Sequence, residues 1–155
     1  MILSPEFNKA LTYAADLHRE QPPKGTSIPY LSHLLSVCGL VLEHGGSQDE
    51  AVAVLLHDSL EDQPRGHQTA IEIREQFGES ILTIVRECTD TDEEPKSSWP
   101  ERKQRYINHI WTASPSAQLV SACDKLHNIR AIVRDFKDLG PGLWDRFNAG
   151  PDQTL

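Results

Sequence analysis

No stretch of this 155-residue chain is apolar for the roughly twenty positions that a membrane span needs, so a membrane protein is not expected. The N-terminus has no basic region followed by an apolar segment, which argues against a secretory leader. Cysteine is scarce. Cys38, Cys88 and Cys123 are odd in number and widely, irregularly spaced, which gives neither a disulfide framework nor a zinc knuckle. Each sits within or beside an apolar helical pattern, as a reduced core residue of a cytoplasmic protein would. Basic charge is in deficit: 15 Lys and Arg face 23 Asp and Glu, for a formal net charge of −8. That balance argues against a duplex nucleic-acid binder, which normally carries a basic stripe. It leaves room for a small anionic ligand, because a metal ion and a few lysines can invert the local field. Sustained period-two alternation, internal repeats, low-complexity segments and breaks in composition are all missing. The chain therefore reads as one all-α domain over residues 1–150 with a short tail at 151–155.

What is present is a series of helix signals. Ser4-Pro5-Glu6 opens a first helix with a cap, an early proline and an early acid. Gln21-Pro22-Pro23-Lys24-Gly25 closes it. A second helix is predicted from about Leu31 to His44 and ends at Gly45-Gly46. Ser47-Gln48-Asp49-Glu50 is a capping box for a third, expected to run through the apolar stretch Ala51 to Leu56 and on to Asp62. Further helices are predicted at about Thr69 to Phe77, Ser80 to Glu87, Trp99 to Ala113 and Ala117 to Phe136. Trp99, Trp111 and Trp144 are expected in the core or between helices. His67 and His109 are expected at the surface, and His44 at a helix end.

The segment His57-Asp58-Ser59-Leu60-Glu61-Asp62 carries the chemistry. One imidazole and three carboxylates follow a helix that is hydrophobic all round. At helical spacing, His57 and Glu61 lie one turn apart, as do Asp58 and Asp62. Acids at a helix C-terminus repel one another and oppose the macrodipole. Such a group calls for a cation or a chemical task. Two other residues stand out. His33 follows the Ile28-Pro29-Tyr30 turn. Asp124 lies in an otherwise apolar stretch, flanked by Val120, Cys123 and Leu126, where an unpaired carboxylate is costly. Singly, each has a structural reading: His33 as a cap, Asp124 as the partner of Lys125 or Arg130. Together, His33, His57, Asp58 and Asp124 form a mixed nitrogen and oxygen set that suits Mn²⁺, Fe²⁺ or Zn²⁺.

In order and type, His33, His57-Asp58 and Asp124 resemble the H…HD…D signature of the HD superfamily of metal-dependent phosphohydrolases. His57-Asp58-Ser59-Leu60-Glu61-Asp62 is similar to the HDxxED motif of small alarmone hydrolases and of the hydrolase domains of Rel/SpoT-type enzymes. Lys24-Gly25-Thr26, Pro29-Tyr30-Leu31-Ser32-His33, Phe77-Gly78 and Asp124-Lys125-Leu126-His127-Asn128 match that group in order. The similarity spans roughly residues 7 to 148.

The resemblance implies a single helical HD-type domain that removes the 3′-diphosphate of guanosine tetra- or pentaphosphate, usually with Mn²⁺. It implies His33, His57, Asp58 and Asp124 as metal ligands. Glu61 and Asp62 would orient and deprotonate the attacking water. Lys24 would meet a substrate phosphate and Asn128 the nucleotide. His18 is a further candidate for the pocket. His127 points about a quarter-turn away from Asp124 and is expected beside the ligands, not among them.

Two departures stand against the pattern. Pro23 occupies a position where the group usually has a basic residue, and the further aromatic-containing helix that usually follows is not seen before Leu155. The alternatives are an HD-type phosphatase acting on another nucleotide or dinucleotide phosphate, and an HD domain that binds an alarmone without turnover. The intact Glu61-Asp62 pair argues against the latter.

Overall fold

Six consecutive apolar residues, Ala51 to Leu56, leave a helix with no face to give to water. In the computed structural model of the chain, which describes residues 2–21, 28–60, 66–89 and 98–146, that helix lies at the centre of the molecule and all six side chains are buried. It is the third of seven α-helices among the described residues: α1 Pro5–Leu17, α2 Leu31–Glu43, α3 Gln48–Leu56, α4 Gly66–Phe77, α5 Glu79–Cys88, α6 Trp99–Ile110 and α7 Pro115–Leu139. A 3₁₀ helix, Gly140–Arg146, follows α7 and packs on it. No strand occurs among the described residues, in keeping with the all-α expectation. None of these helices is long and apolar enough to cross a membrane.

The helices α1, α2, α5 and α7 surround α3; α4 packs on α5, and α6 packs on α5 and α7. Leu34, Val37 and Val41 of α2, Leu82 and Val85 of α5, and Ala117 and Val120 of α7 enclose Val52, Leu55 and Leu56. Each fully buried Leu or Val contributes roughly 1.5–3 kcal/mol. That is ample to hold one short helix without propensity of its own.

Local signals set most boundaries. Ser47 Oγ accepts from the Glu50 backbone N–H at 3.3 Å, and Glu50 Oε2 accepts from the Ser47 backbone N–H at 2.6 Å, so the capping box is formed at both halves. Ser4 caps α1, and its backbone N–H donates to Gln48 Oε1 at 2.6 Å, which ties the start of α1 to the start of α3. Gly45 takes a positive φ of 82° after α2, a conformation that a Cβ would oppose. Gly46 then lies so close to Val41 that an added Cβ would fall 2.8 Å from its carbonyl oxygen.

Two expectations are corrected. The third helix does not continue to Asp62: it ends at Leu56, with His57 as its C-cap and residues 57–60 in a turn. The cause is local. His57 Nδ1 lies 2.7 Å from the Val54 carbonyl and the Ser59 N–H bonds back to Leu56 at 3.0 Å, so an imidazole and a tighter turn take the carbonyls that a continuing helix would use. The helical phase argument for His57 and Glu61 therefore fails at its first residue. Trp111, expected in the core or between helices, is 78% exposed. It is the C-cap of α6, and the inward positions beside it are taken by Ile110 and Ala113. Trp144 does pack between elements, 6.1 Å from the Phe136 ring. His67 and His109 are exposed, and His44 caps α2 with Nδ1 2.8 Å from the Leu40 carbonyl. The tail at 151–155 lies outside the described residues.

Candidate metal centre

The N-terminus of α2, the C-terminus of α3 and the middle of α7 meet at one point, and each brings a polar side chain to an apolar junction. His33 sits on the first turn of α2, because Pro29 and Tyr30 start that helix just before it. His57 and Asp58 follow α3, which the core holds rigidly. Asp124 lies at the end of the buried stripe Ala117, Val120, Ser121 and Cys123 of α7. His57 is 4% exposed and Asp124 6% exposed.

The distances are short. His33 Nε2 is 3.2 Å from Asp124 Oδ1 and 3.9 Å from Asp58 Oδ2. His57 Nε2 is 3.3 Å from Asp58 Oδ1 and 3.9 Å from Asp124 Oδ1. One ligand atom each of His33, His57 and Asp58 falls within 4.8 Å of the others. Ligands bound at about 2.1 Å to a common ion lie roughly 3–4 Å apart, so a divalent ion needs little adjustment here.

His57 supplies the test of fit. Its Nδ1 faces a carbonyl, which can only accept, so Nδ1 carries a proton and Nε2 is the nitrogen left to meet a cation. That Nε2 is buried, has no hydrogen-bond partner among the described residues and faces two carboxylates. When the ring is neutral, a lone pair there meets two carboxylates, a repulsion that a cation between them removes. The four side chains therefore fit a divalent ion by their own electrostatics.

Each also has an outer partner of the kind that orients metal ligands. Tyr30 donates its hydroxyl to Asp58 Oδ2. Lys125 Nζ and Asn128 Nδ2 donate to the two oxygens of Asp124, at 2.6 and 2.8 Å. His33 Nδ1 lies 2.9 Å from His127 Nδ1. Burial alone would raise the Asp124 carboxyl. The nearby His33 ring and the Lys125 ammonium outweigh it and hold Asp124 well below the usual carboxylate range. Burial depresses Lys125, but Asp124 outweighs it and pushes the ammonium up to about 12. His127 is lowered, first by burial and then by His33.

Of the other expected residues, Asn128 borders the centre through Asp124. His18 reaches it through Tyr30: their ring centroids are 5.0 Å apart, and His18 Nδ1 pairs with Gln21. Lys24, Glu61 and Asp62 lie outside the described residues. The sequence reading missed Tyr30. Its position three residues before His33 was the available signal, since that spacing puts both rings on one side of the turn that opens α2.

The chain matches the HD domain family over residues 10–151. It belongs to the HD domain family. Within that family it is 38% identical over 129 residues to guanosine-3′,5′-bis(diphosphate) 3′-pyrophosphohydrolase MESH1 of Xenopus tropicalis, covering 81% of this chain and 69% of that protein. The Homo sapiens protein of the same name is 36% identical over 131 residues, with the same coverage. A solved structure, described as a metazoan ortholog of SpoT that hydrolyses ppGpp, superimposes with a TM-score of 0.76 at 29% identity, over 86% of this chain and 74% of that one. Within the matched span, His57 and Asp58 stand where α3 leaves the core.

Proposed function

We propose that this chain is a metal-dependent hydrolase of guanosine tetra- and pentaphosphate, acting at the 3′-diphosphate. Water adds to the phosphorus on the ribose 3′ oxygen, the bond from that phosphorus to the 3′ oxygen breaks, the 3′ oxygen takes a proton, and pyrophosphate is released carrying the water oxygen. The products are GDP from ppGpp and GTP from pppGpp. The observation that carries this reading is the buried Nε2 of His57 facing two carboxylates in an HD domain whose relatives are named for this reaction. The proposed ligands are His33, His57, Asp58 and Asp124, and the proposed ion is Mn²⁺, which a mixed imidazole and carboxylate set suits.

Such an ion, when bound, lowers the pKa of a water molecule towards neutrality and shields phosphoryl oxygens. The protein supplies the remainder. Glu61 and Asp62, which follow the 57–60 turn, are proposed to orient that water and accept its proton. Lys24 is proposed to neutralise a substrate phosphate, with Asn128 holding the nucleoside. His18 offers a buried Nε2 with no hydrogen-bond partner among the described residues as a further contact. A cytoplasmic location is proposed on the strength of three buried free thiols, which a reducing compartment preserves.

The test is incubation of the purified Mn²⁺-loaded protein with ppGpp, pppGpp and a panel of other phosphorylated nucleotides, reading pyrophosphate against phosphate. Pyrophosphate from ppGpp is expected, and Glu61→Gln should lower turnover about 10²–10⁴-fold while the metal stays bound. Release of phosphate, or strong activity confined to a different nucleotide, overturns the substrate assignment.

A further inference from the structure

The two histidines of the candidate centre are oriented by different kinds of partner. His57 Nδ1 faces the Val54 carbonyl at 2.7 Å. A carbonyl never donates, so His57 is locked with its proton on Nδ1. His33 Nδ1 faces another imidazole nitrogen, Nδ1 of His127 on α7, at 2.9 Å; the rings are 4.9 Å apart and inclined by 60°. That contact is attractive only when one nitrogen carries a proton and the other a lone pair. Which nitrogen donates is decided at the far side of the His33 ring. There Nε2 faces Asp124 and Asp58, and a ligating nitrogen must be unprotonated. The His33 proton is then on Nδ1, and His127 has to accept it, with its own proton on Nε2. His127 meets His33 at the nitrogen that does not face the carboxylates, so it is not itself a ligand.

We propose that His127 is a positioning residue that selects the metal-ligating tautomer of His33 by accepting a hydrogen bond from its Nδ1. The inference rests on the metal reading above and is independent of the substrate. It makes the centre asymmetric. The His57 side is preset by main chain, whereas the His33 side depends on a side chain that can be replaced.

The experiment compares wild type, His127→Leu and His127→Asn. Leucine keeps comparable bulk and removes the acceptor; asparagine places an amide oxygen near the position of Nδ1. Mn²⁺ affinity is measured by chelator competition, the Co²⁺-substituted proteins are compared by visible absorption, and circular dichroism melts of the metal-free proteins check folding. His127→Leu should bind Mn²⁺ about 10–100-fold more weakly, the usual loss on removing an outer partner of a metal ligand, with an altered Co²⁺ spectrum. His127→Asn should recover most of the affinity. Wild-type affinity in His127→Leu, or equal weakness in both variants, overturns the proposal.

Where the leucine variant does not fold, nitrogen-15 NMR of the wild-type protein loaded with Zn²⁺ decides. His33 Nδ1 should be protonated and bonded to a bare His127 nitrogen; an unprotonated His33 Nδ1 overturns the assignment. A wild type that binds Mn²⁺ but leaves ppGpp intact sinks the substrate reading and not this one. A wild type that binds no divalent ion sinks both.

Discussion

Asp124 joins more of the centre than any other residue. One oxygen faces His33 and His57 and accepts from Asn128, while the other accepts from Lys125. Buried at 6% exposure on α7, it also links that helix to the ends of α2 and α3. Asp124→Asn keeps the shape and removes the charge. Metal affinity should fall by more than the roughly 10–100-fold loss that an outer partner gives. The metal-free variant should still fold, because Asn can retain the bond to Asn128. Elemental analysis after dialysis checks this, and full occupancy would remove Asp124 from the ligand set. The residue types of this centre were legible in the sequence, because a carboxylate inside an apolar run stands out by its cost. The contact of Tyr30 with Asp58 was not, because it joins residues 28 apart through the direction of a single ring.

At the scale of elements, α3 is the one to perturb, because it carries His57 and Asp58 at its end and is anchored by its beginning. Ser47→Ala should cost about 1 kcal/mol, the usual worth of an N-cap. Glu50 provides a pH dependence. Burial pushes its carboxyl up, but the Ser47 backbone N–H and the hydroxyls of Ser116 and Ser47 outweigh burial and hold it below its ordinary value. A group lowered on folding contributes stability that is fully present above its unfolded pKa and is lost as pH falls through the folded one. Glu50→Gln should therefore be less stable than wild type at about pH 7, and the gap should close towards about pH 3, below the usual carboxylate range. Urea unfolding at both pH values reads it; a gap that is constant with pH would show that the carboxylate charge is not involved. The capping box was legible because it is local. The helix end was not, because the apolar run gave no sign that an imidazole would take the Val54 carbonyl.

For the whole molecule, the core and the metal centre are coupled through the same helix. Leu55 is fully buried at the middle of the core. Leu55→Ala should cost about 2–5 kcal/mol, a large share of the roughly 5–15 kcal/mol that holds a domain of ordinary stability. Mn²⁺ should offset part of this, because an ion bound only by the folded state stabilises it by about 2.7 kcal/mol at a hundred times its Kd. Thermal unfolding with Mn²⁺ and with chelator should show a higher Tm with metal in wild type and Leu55→Ala, and none of that rise in Asp124→Asn. An equal rise in Asp124→Asn would mean that the ion binds elsewhere.

The sequence by itself determined the helical class, the starts of α1 and α3, and the glycine stop after α2. Caps, glycines and a continuous apolar run act within a few residues and need no distant partner. Composition also determined the absence of a membrane-length apolar run, and the motif order pointed to the HD family. Only the tertiary structure decided that α3 stops at Leu56, that Trp111 faces solvent, and that His33 meets His127 across 94 residues of chain. These outcomes depend on which of several possible partners occupies a shared space. That competition is settled by packing around α3, and a linear pattern of residue types does not contain it.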